Sequence, residues 1–173
     1  MPRSVTARSA VAALVALALL GCKEEPKDKE VVHLGYRFLL PPGWTSREER
    51  AGTRNIVNFE SAAAPDLIAC TATMVPGTVT PAVLVAEVER SLGADGGTPW
   101  TARTSLGRCV GERFVAHPKG ISEPVTPSGA VCGVQDGPVY VALVSLTVEP
   151  VEPGAAPKGC EAVLASIRNT SRP

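Results

Sequence analysis

The two histidines, His33 and His117, are the side chains best suited to acid–base chemistry in this 173-residue chain. A serine hydrolase would need one of them beside a serine and a carboxylate, so that the imidazole can take the serine proton. The sequence has no Gly-x-Ser-x-Gly motif to present such a serine on a sharp turn between a strand and a helix. We therefore interpret both histidines as solvated side chains, and we favour a non-enzymatic protein over an enzyme with an unrecognised site.

Metal and cofactor chemistry has no better support in the sequence. Neither histidine has a second histidine close by, and the cysteines include no Cys-x-x-Cys pair of the kind that structural zinc sites use. Residues 93–97 hold a single carboxylate, too few for a calcium loop, and no phosphate-binding glycine motif opens a helix. Glu48 and Glu49 are flanked by arginines, as in an exposed mixed-charge turn. The sequence predicts no metal site and no cofactor.

Cys70, Cys109, Cys132 and Cys160 are predicted to form two disulfides. The N-terminal segment described in the next paragraph predicts export, and an even number of cysteines in an exported chain is typical of such cross-links. The alternative is four buried thiols. Cys109 and Cys132 lie on consecutive predicted strands, whereas Cys70 and Cys160 lie on the inward faces of a strand and of the last helix. Three pairings are possible, and these positions favour Cys109–Cys132 with Cys70–Cys160.

The first 21 residues have the composition of an export signal. Two arginines and no acidic residue precede an apolar run at residues 10–20. That run is too short to cross a hydrocarbon core, which takes about 20 helical residues, but it suits a signal peptide. The following Leu19-Leu20-Gly21-Cys22 resembles the lipobox of bacterial lipoproteins; an ordinary secretory signal would end in an Ala-x-Ala sequence. The resemblance implies cleavage after Gly21 and lipid on Cys22, which would anchor the chain stably to a membrane.

The mature chain is predicted to consist of a tether and one domain. Residues 22–30 hold the lipidated Cys22 and a run of mostly charged residues that cannot form a core, and residues 31–173 suffice for one globular domain. Without residues 1–21 the chain has 15 basic and 17 acidic side chains, a balance that argues against nucleic acid as a partner. By the sorting rule of enteric bacteria, Lys23 favours the outer membrane over the inner one, with the domain facing the periplasm.

The predicted domain consists mainly of short strands. They are expected at residues 31–40, 54–59, 67–75, 100–106, 109–116, 128–135 and 138–148. A helix begins at Thr80 and Pro81 and ends at Gly93, and a second helix covers residues 158–168. Consecutive strands with short turns favour antiparallel pairing. We therefore predict an α+β fold with an antiparallel sheet of about six or seven strands and two packed helices.

Two stretches resemble the PsbP-like family. The opening of these domains is similar to residues 36–44, Tyr-Arg-Phe-Leu-Leu-Pro-Pro-Gly-Trp. Their closing strand and helix are similar to residues 139–146 and 160–168. The resemblance covers about residues 31–169. It implies an α/β/α sandwich around an antiparallel sheet and a protein that binds and stabilises protein partners. The cysteines are not part of the family's pattern.

The candidate binding residues are two tryptophans and one loop. Trp44 and Trp100 are potential platforms for a ligand, although a tryptophan after a Pro-Gly turn usually packs at a sheet edge. The loop at residues 117–127 is the best candidate contact surface, because loops on a rigid scaffold often carry function; the alternative is a variable solvated loop. Its candidate contact residues are His117, Lys119, Ile121 and Glu123.

Our leading hypothesis is a lipid-anchored envelope protein that binds another envelope protein. One rival is a carrier or sensor of a small ligand, which would need a pocket between sheet and helix lined by residues such as Trp44 and Trp100. The other rival is an envelope enzyme, which would need His33 or His117 in one cleft with carboxylates.

Overall fold

A computed structural model describes residues 27–117, 127–148 and 159–171 of the chain. In chain order the strands are β1 (Lys29–His33), β2 (Tyr36–Leu40), β3 (Trp44–Ala51), β4 (Arg54–Ser61), β5 (Leu67–Pro76), β6 (Ala94–Thr104), β7 (Gly107–Ala116), β8 (Ser128–Asp136), β9 (Val139–Thr147) and β10 (Arg168–Asn169). The helices are α1 (Pro81–Leu92), between β5 and β6, and α2 (Cys160–Ala165), before β10. None of the helices in the described residues is long and apolar enough to cross a membrane.

The strands form two antiparallel sheets. The large sheet has seven strands in the order β3-β4-β5-β9-β8-β7-β6, and the small sheet has three strands in the order β1-β2-β10. Strands that follow each other along the chain also lie side by side in the large sheet, except that β5 pairs with β9. Among the described strands, β3 and β6 are therefore the two edges of the large sheet.

The large sheet is covered differently on its two faces. One face, which we call the α1 face, packs against α1, where Val88, Leu84 and Val85 contact an apolar cluster that includes Phe114 and Val131. The other face, which we call the small-sheet face, packs against the small sheet and α2. Its core is larger and includes the following buried residues: Tyr36, Phe38, Leu40, Phe59, Met74, Leu143, Val163 and Ile167.

The predicted fold class is wrong. Strands hold 60% of the structure and helices 15%, so the protein is a mostly-β fold of two antiparallel sheets and not the α+β, PsbP-like α/β/α sandwich that we expected. Residues 31–40, interpreted as a single strand, form the β1–β2 hairpin, because the two turn residues Leu34 and Gly35 both take positive φ, 55° and 80°. The last helix is also shorter than predicted, with six residues instead of eleven.

The first helix matches its prediction closely. Thr80 has the extended conformation of an N-cap residue, Pro81 occupies the first helical position, and Gly93 ends the helix in the left-handed conformation with φ of 63°. The backbone N–H of Gly93 donates to the carbonyl of Glu89. Thr80 differs from the expectation in one respect, since its side chain makes no capping hydrogen bond.

Both disulfides are present with the favoured pairing. Cys70–Cys160 connects β5 to α2 across 90 residues, with the Cα atoms 5.8 Å apart. Cys109–Cys132 connects β7 to β8 across 23 residues, with the Cα atoms 5.5 Å apart. The residue directly opposite Cys132 is Gly111, so Cys109 reaches Cys132 diagonally along the same face of the sheet. Both cross-links lie on the small-sheet face, in its core.

Candidate functional site

The two predicted tryptophans lie far apart. Trp44 begins β3 and Trp100 lies in β6, so they are on opposite edges of the large sheet, six strand spacings of about 4.8 Å apart. Trp44 packs against Gly159, where an added Cβ atom would lie 2.6 Å from the indole ring. Both side chains are half-buried against the core of the small-sheet face. One pocket lined by both tryptophans is therefore not formed.

Trp100 instead lines a cleft of about 300 Å³ between β6, β7 and α2. Arg113 lies directly opposite Thr98, which is two residues before Trp100 on β6, so Arg113 and Trp100 are diagonal neighbours on the same face of the sheet. The guanidinium carbon of Arg113 lies 5.4 Å from the centre of the indole ring. Glu161, in the first turn of α2, closes the cleft from the helix side. The apolar part of the lining comes from Ala102, Leu143, Leu164 and Ala165.

The charged pair in this cleft is loosely matched. Nη2 of Arg113 lies 3.8 Å from Oε1 of Glu161, which is beyond hydrogen-bond distance. Burial raises the pKa of the Glu161 carboxyl, and the nearby Arg113 charge opposes that rise. The guanidinium therefore keeps donors that can bind a carboxylate of a ligand, while the Glu161 carboxylate can accept from an ammonium or amide group. The arrangement suits recognition of a group with polar and apolar parts.

A second polar constellation lies elsewhere on the same face. His33, at the end of β1, is hydrogen-bonded through Nδ1 to Oε1 of Glu48 (2.8 Å) and through Nε2 to Oγ of Ser46 (2.7 Å). Ser46 and Glu48 are two residues apart on β3, so their side chains point to the same face of the sheet. The sequence had no signal for this constellation, because β3 was interpreted as a charged turn and its contact with β1 is tertiary.

The predicted contact loop, residues 117–127, is represented by its two end residues, His117 and Pro127, of which Pro127 is fully buried. His117 is exposed at the end of β7, and its backbone N–H donates to the carbonyl of Gly93 over 3.0 Å. Four other predicted site residues lie outside the described residues: Cys22, Lys119, Ile121 and Glu123. Within the described ranges, no group of three or more His, Cys, Asp or Glu side chains is placed to hold a metal ion.

Comparisons with known proteins identify the fold only. No protein-family model matches the sequence, and no curated protein is significantly similar to it. The structure is similar to a crystal structure from Bacteroides thetaiotaomicron, with a TM-score of 0.54 and 10% sequence identity. The similarity covers 83% of this chain and 49% of that chain, so this chain spans about half the length of the protein it resembles. At this identity the similarity supports a shared fold and carries no activity, ligand or partner.

Proposed function

We propose that this chain is a lipid-anchored protein of the bacterial cell envelope whose domain binds another envelope protein through the Trp100 cleft. The two disulfides are compatible with a location outside the cytoplasm. The Leu19-Leu20-Gly21-Cys22 sequence supports lipid on Cys22, and Lys23 favours the outer membrane. The six residues from Lys23 to Asp28, which precede β1, reach at most about 21 Å when fully extended, so the domain would stay close to the membrane surface.

The single observation that carries the binding proposal is the composition of the cleft. Tryptophan and arginine are the residue types that most often dominate binding energy at protein interfaces, and here Trp100 and Arg113 lie against each other beside an apolar floor. Arg113 is mostly buried and packs against the Trp100 ring, so little side-chain entropy remains to be lost when a partner binds.

Site-specific photo-crosslinking in intact cells tests this proposal. A photoreactive residue replaces Ala165, which is exposed in the lining of the cleft. The matched control replaces Ala82, which is exposed on α1 on the opposite side of the sheet. We expect one envelope protein to be captured from position 165 and not from position 82, and capture should fall when Trp100→Ala is added. Equal capture from both positions, or none from position 165, would contradict the proposal.

The anchor is tested separately. We expect Cys22→Ser to prevent lipid attachment and to move the exported chain from the membrane fraction to the soluble fraction, because the attached acyl chains supply the membrane affinity. Ser105→Ala is the control, since it changes an exposed turn residue without touching the lipobox or either disulfide. An unchanged distribution of the Cys22→Ser variant would refute lipid anchoring while leaving the binding site open to its own test.

A second function is favoured by the size of the cleft. A volume of about 300 Å³ is at the lower end of small-molecule pockets, so a carrier or sensor of a small ligand is the alternative occupant. The chain has two tryptophans, and Trp44→Phe leaves Trp100 as the sole indole reporter. A ligand that enters the cleft should change the fluorescence of Trp100 and raise Tm with the logarithm of its concentration above Kd. If crosslinking captures a protein and no small molecule changes the fluorescence of Trp100 or the Tm, the protein-binding function is supported.

A further inference from the structure

The hydrogen bonds around His33 have the connectivity of a serine hydrolase relay. A carboxylate only accepts hydrogen bonds, so Nδ1 of His33 carries the hydrogen that is donated to Glu48 Oε1 over 2.8 Å. In the neutral imidazole Nε2 is then the acceptor, and the Ser46 hydroxyl donates to it over 2.7 Å. Serine, imidazole and carboxylate thus stand in the order, and with the ring tautomer, that general-base activation of a hydroxyl requires.

The fold holds this constellation in place from both sides. Ser46 and Glu48 lie on β3, which pairs along its whole length with β4. His33 precedes the Leu34-Gly35 turn, in which Leu34 is the one non-glycine residue with positive φ among the described residues. Thr170 fixes this turn, because its backbone N–H and its hydroxyl both donate to the Gly35 carbonyl, over 2.9 and 2.8 Å. A leucine in this left-handed conformation is strained, and such strain is more common at functional sites than elsewhere.

The constellation is also accessible to a substrate. β3 is an edge strand of the large sheet, the Glu48 side chain is 47% exposed and the His33 side chain is 18% exposed. Ser46 is half-buried. Its hydroxyl is therefore positioned against the imidazole without being sealed in the core, on an edge of the sheet opposite to the one that carries the Trp100 cleft.

We propose that Ser46 is the nucleophile of a second, hydrolytic site that acts on carboxylic esters. Oγ of Ser46 attacks the ester carbonyl carbon while its proton passes to Nε2 of His33, and Glu48 stabilises the imidazolium. The bond to the alcohol breaks, and the leaving oxygen takes the proton from Nε2, which leaves an acyl group on Ser46. Water then attacks this acyl group and gives its proton to Nε2; the carboxylic acid departs and Oγ regains the proton. No oxidant or reductant is needed, and water is the only co-reactant.

Ser46 and His33 are the catalytic residues of this proposal, and Glu48 is a positioning residue that acts through His33. Esters rather than amides are the expected substrates, because an alkoxide leaves a tetrahedral intermediate more readily than an amide anion does. The competing explanation is that the three side chains only connect β1 to β3. That role predicts a loss of stability on substitution, and it predicts no covalent chemistry at Ser46.

Covalent labelling separates these two explanations. The exported full chain, with its disulfides intact, is treated with an alkyl fluorophosphonate, and the modified residue is located by peptide mass spectrometry. We expect one phosphonyl group on Ser46, with fluoride released, in the folded protein and not after unfolding in urea. This result needs no variant. Absence of a Ser46 adduct under conditions that label a known serine hydrolase would overturn the proposal.

Hydrolysis of p-nitrophenyl acetate then tests the roles of the three residues. We expect Ser46→Ala to remove the acyl-enzyme and the burst of product, and His33→Gln to slow acylation by about 10²-fold. Glu48→Gln should slow it less, and Glu48→Asp should restore part of the rate, which a purely structural contact would not do. Ser105→Ala, at an exposed turn serine, is the control and should leave the rate unchanged. An unchanged rate in folded Ser46→Ala would refute the nucleophile.

Discussion

The two faces of the large sheet are covered in different ways. The α1 face is covered by one helix of 12 residues that is continuous in sequence, and the only buried residue of that helix is Val88. The small-sheet face is covered by segments from both ends of the described chain, the β1–β2 hairpin and the α2–β10 segment. These segments are held by Cys70–Cys160 and by a hydrogen bond of 2.8 Å from the Leu39 backbone N–H to the Ser166 hydroxyl.

This difference separates structural support from candidate function. The α1 face contributes an apolar contact that a short amphipathic helix can supply locally. The small-sheet face holds both disulfides and both polar constellations, around Trp100 and around His33. Because its cover is assembled from distant segments, the geometry of both constellations depends on how well that cover is fixed. Substitutions on the small-sheet face should therefore have the larger effects.

The largest expected effect is the loss of the cross-link that fixes this cover. Cys70→Ala/Cys160→Ala should lower the free energy of unfolding by about 4.5 kcal/mol, and Cys109→Ala/Cys132→Ala by about 3.5 kcal/mol, because the closed loops span 90 and 23 residues. Urea unfolding measures both values. Hydrogen exchange should show lost protection in α2 and β2 of the first variant with α1 still protected. Equal loss of protection on both faces would mean that the packing of α1 depends on the packing of the small sheet and α2.

The next effect concerns the aromatic core under the small sheet. Phe38 is fully buried and its ring centre lies 4.9 Å from that of Phe59. Phe38→Ala should cost about 4 kcal/mol, since it removes a large apolar side chain and leaves a cavity. Val32→Ala, at an exposed position of the same sheet, is the control and should stay within about 0.5 kcal/mol of the wild type. A small cost at Phe38 would show that the small sheet is only loosely docked.

The contrast between the faces also explains what the sequence could predict. α1 was predictable because its N-cap, its proline, its apolar period and its terminal glycine all lie within 14 residues, 80–93. β3 was not predicted, because its sequence, Trp-Thr-Ser-Arg-Glu-Glu-Arg-Ala, has no regular alternation and belongs to an edge strand with little to bury. The β1–β2 turn was missed because Leu34-Gly35 lacks the Asn-Gly or Asp-Gly signal of such turns.

The candidate sites also depend on tertiary contacts that the sequence alone does not show. Trp100 was named from its residue type, but Arg113 reaches it through strand register and Glu161 through the packing of α2, and neither relation is visible in sequence spacing. His33 was considered and set aside because no serine motif accompanied it. The structure supplies Ser46 and Glu48 from a strand that lies 13 and 15 residues further along the chain.

A smaller effect is expected on the α1 face. Val88→Ala truncates the only buried side chain of α1 and should lower the free energy of unfolding by about 2 kcal/mol. Val83→Ala changes an exposed valine of the same helix by the same two methyl groups, so it is a matched control for helix propensity and should be near neutral. Thermal unfolding of the two variants measures the difference. If the two substitutions lowered the free energy of unfolding equally, α1 would not be packed on the sheet as described.

The smallest effect is a dependence of stability on pH that comes from Glu161. Burial raises the pKa of this carboxyl in the folded chain, against the opposing Arg113 charge, so the folded state binds the proton more tightly than the unfolded state does. The resulting stabilisation is complete below the unfolded pKa and is lost as the pH rises through the raised folded pKa. Wild type should therefore lose stability relative to Glu161→Gln as the pH rises from about 4 toward neutrality, by a small amount because the side chain is 43% exposed. Urea unfolding of both proteins across this range measures the difference. Arg113→Met should enlarge the dependence, since it removes the charge that lowers the pKa. A wild type that gains stability relative to Glu161→Gln as the pH rises would instead show that Arg113, and not burial, dominates the electrostatics of the cleft.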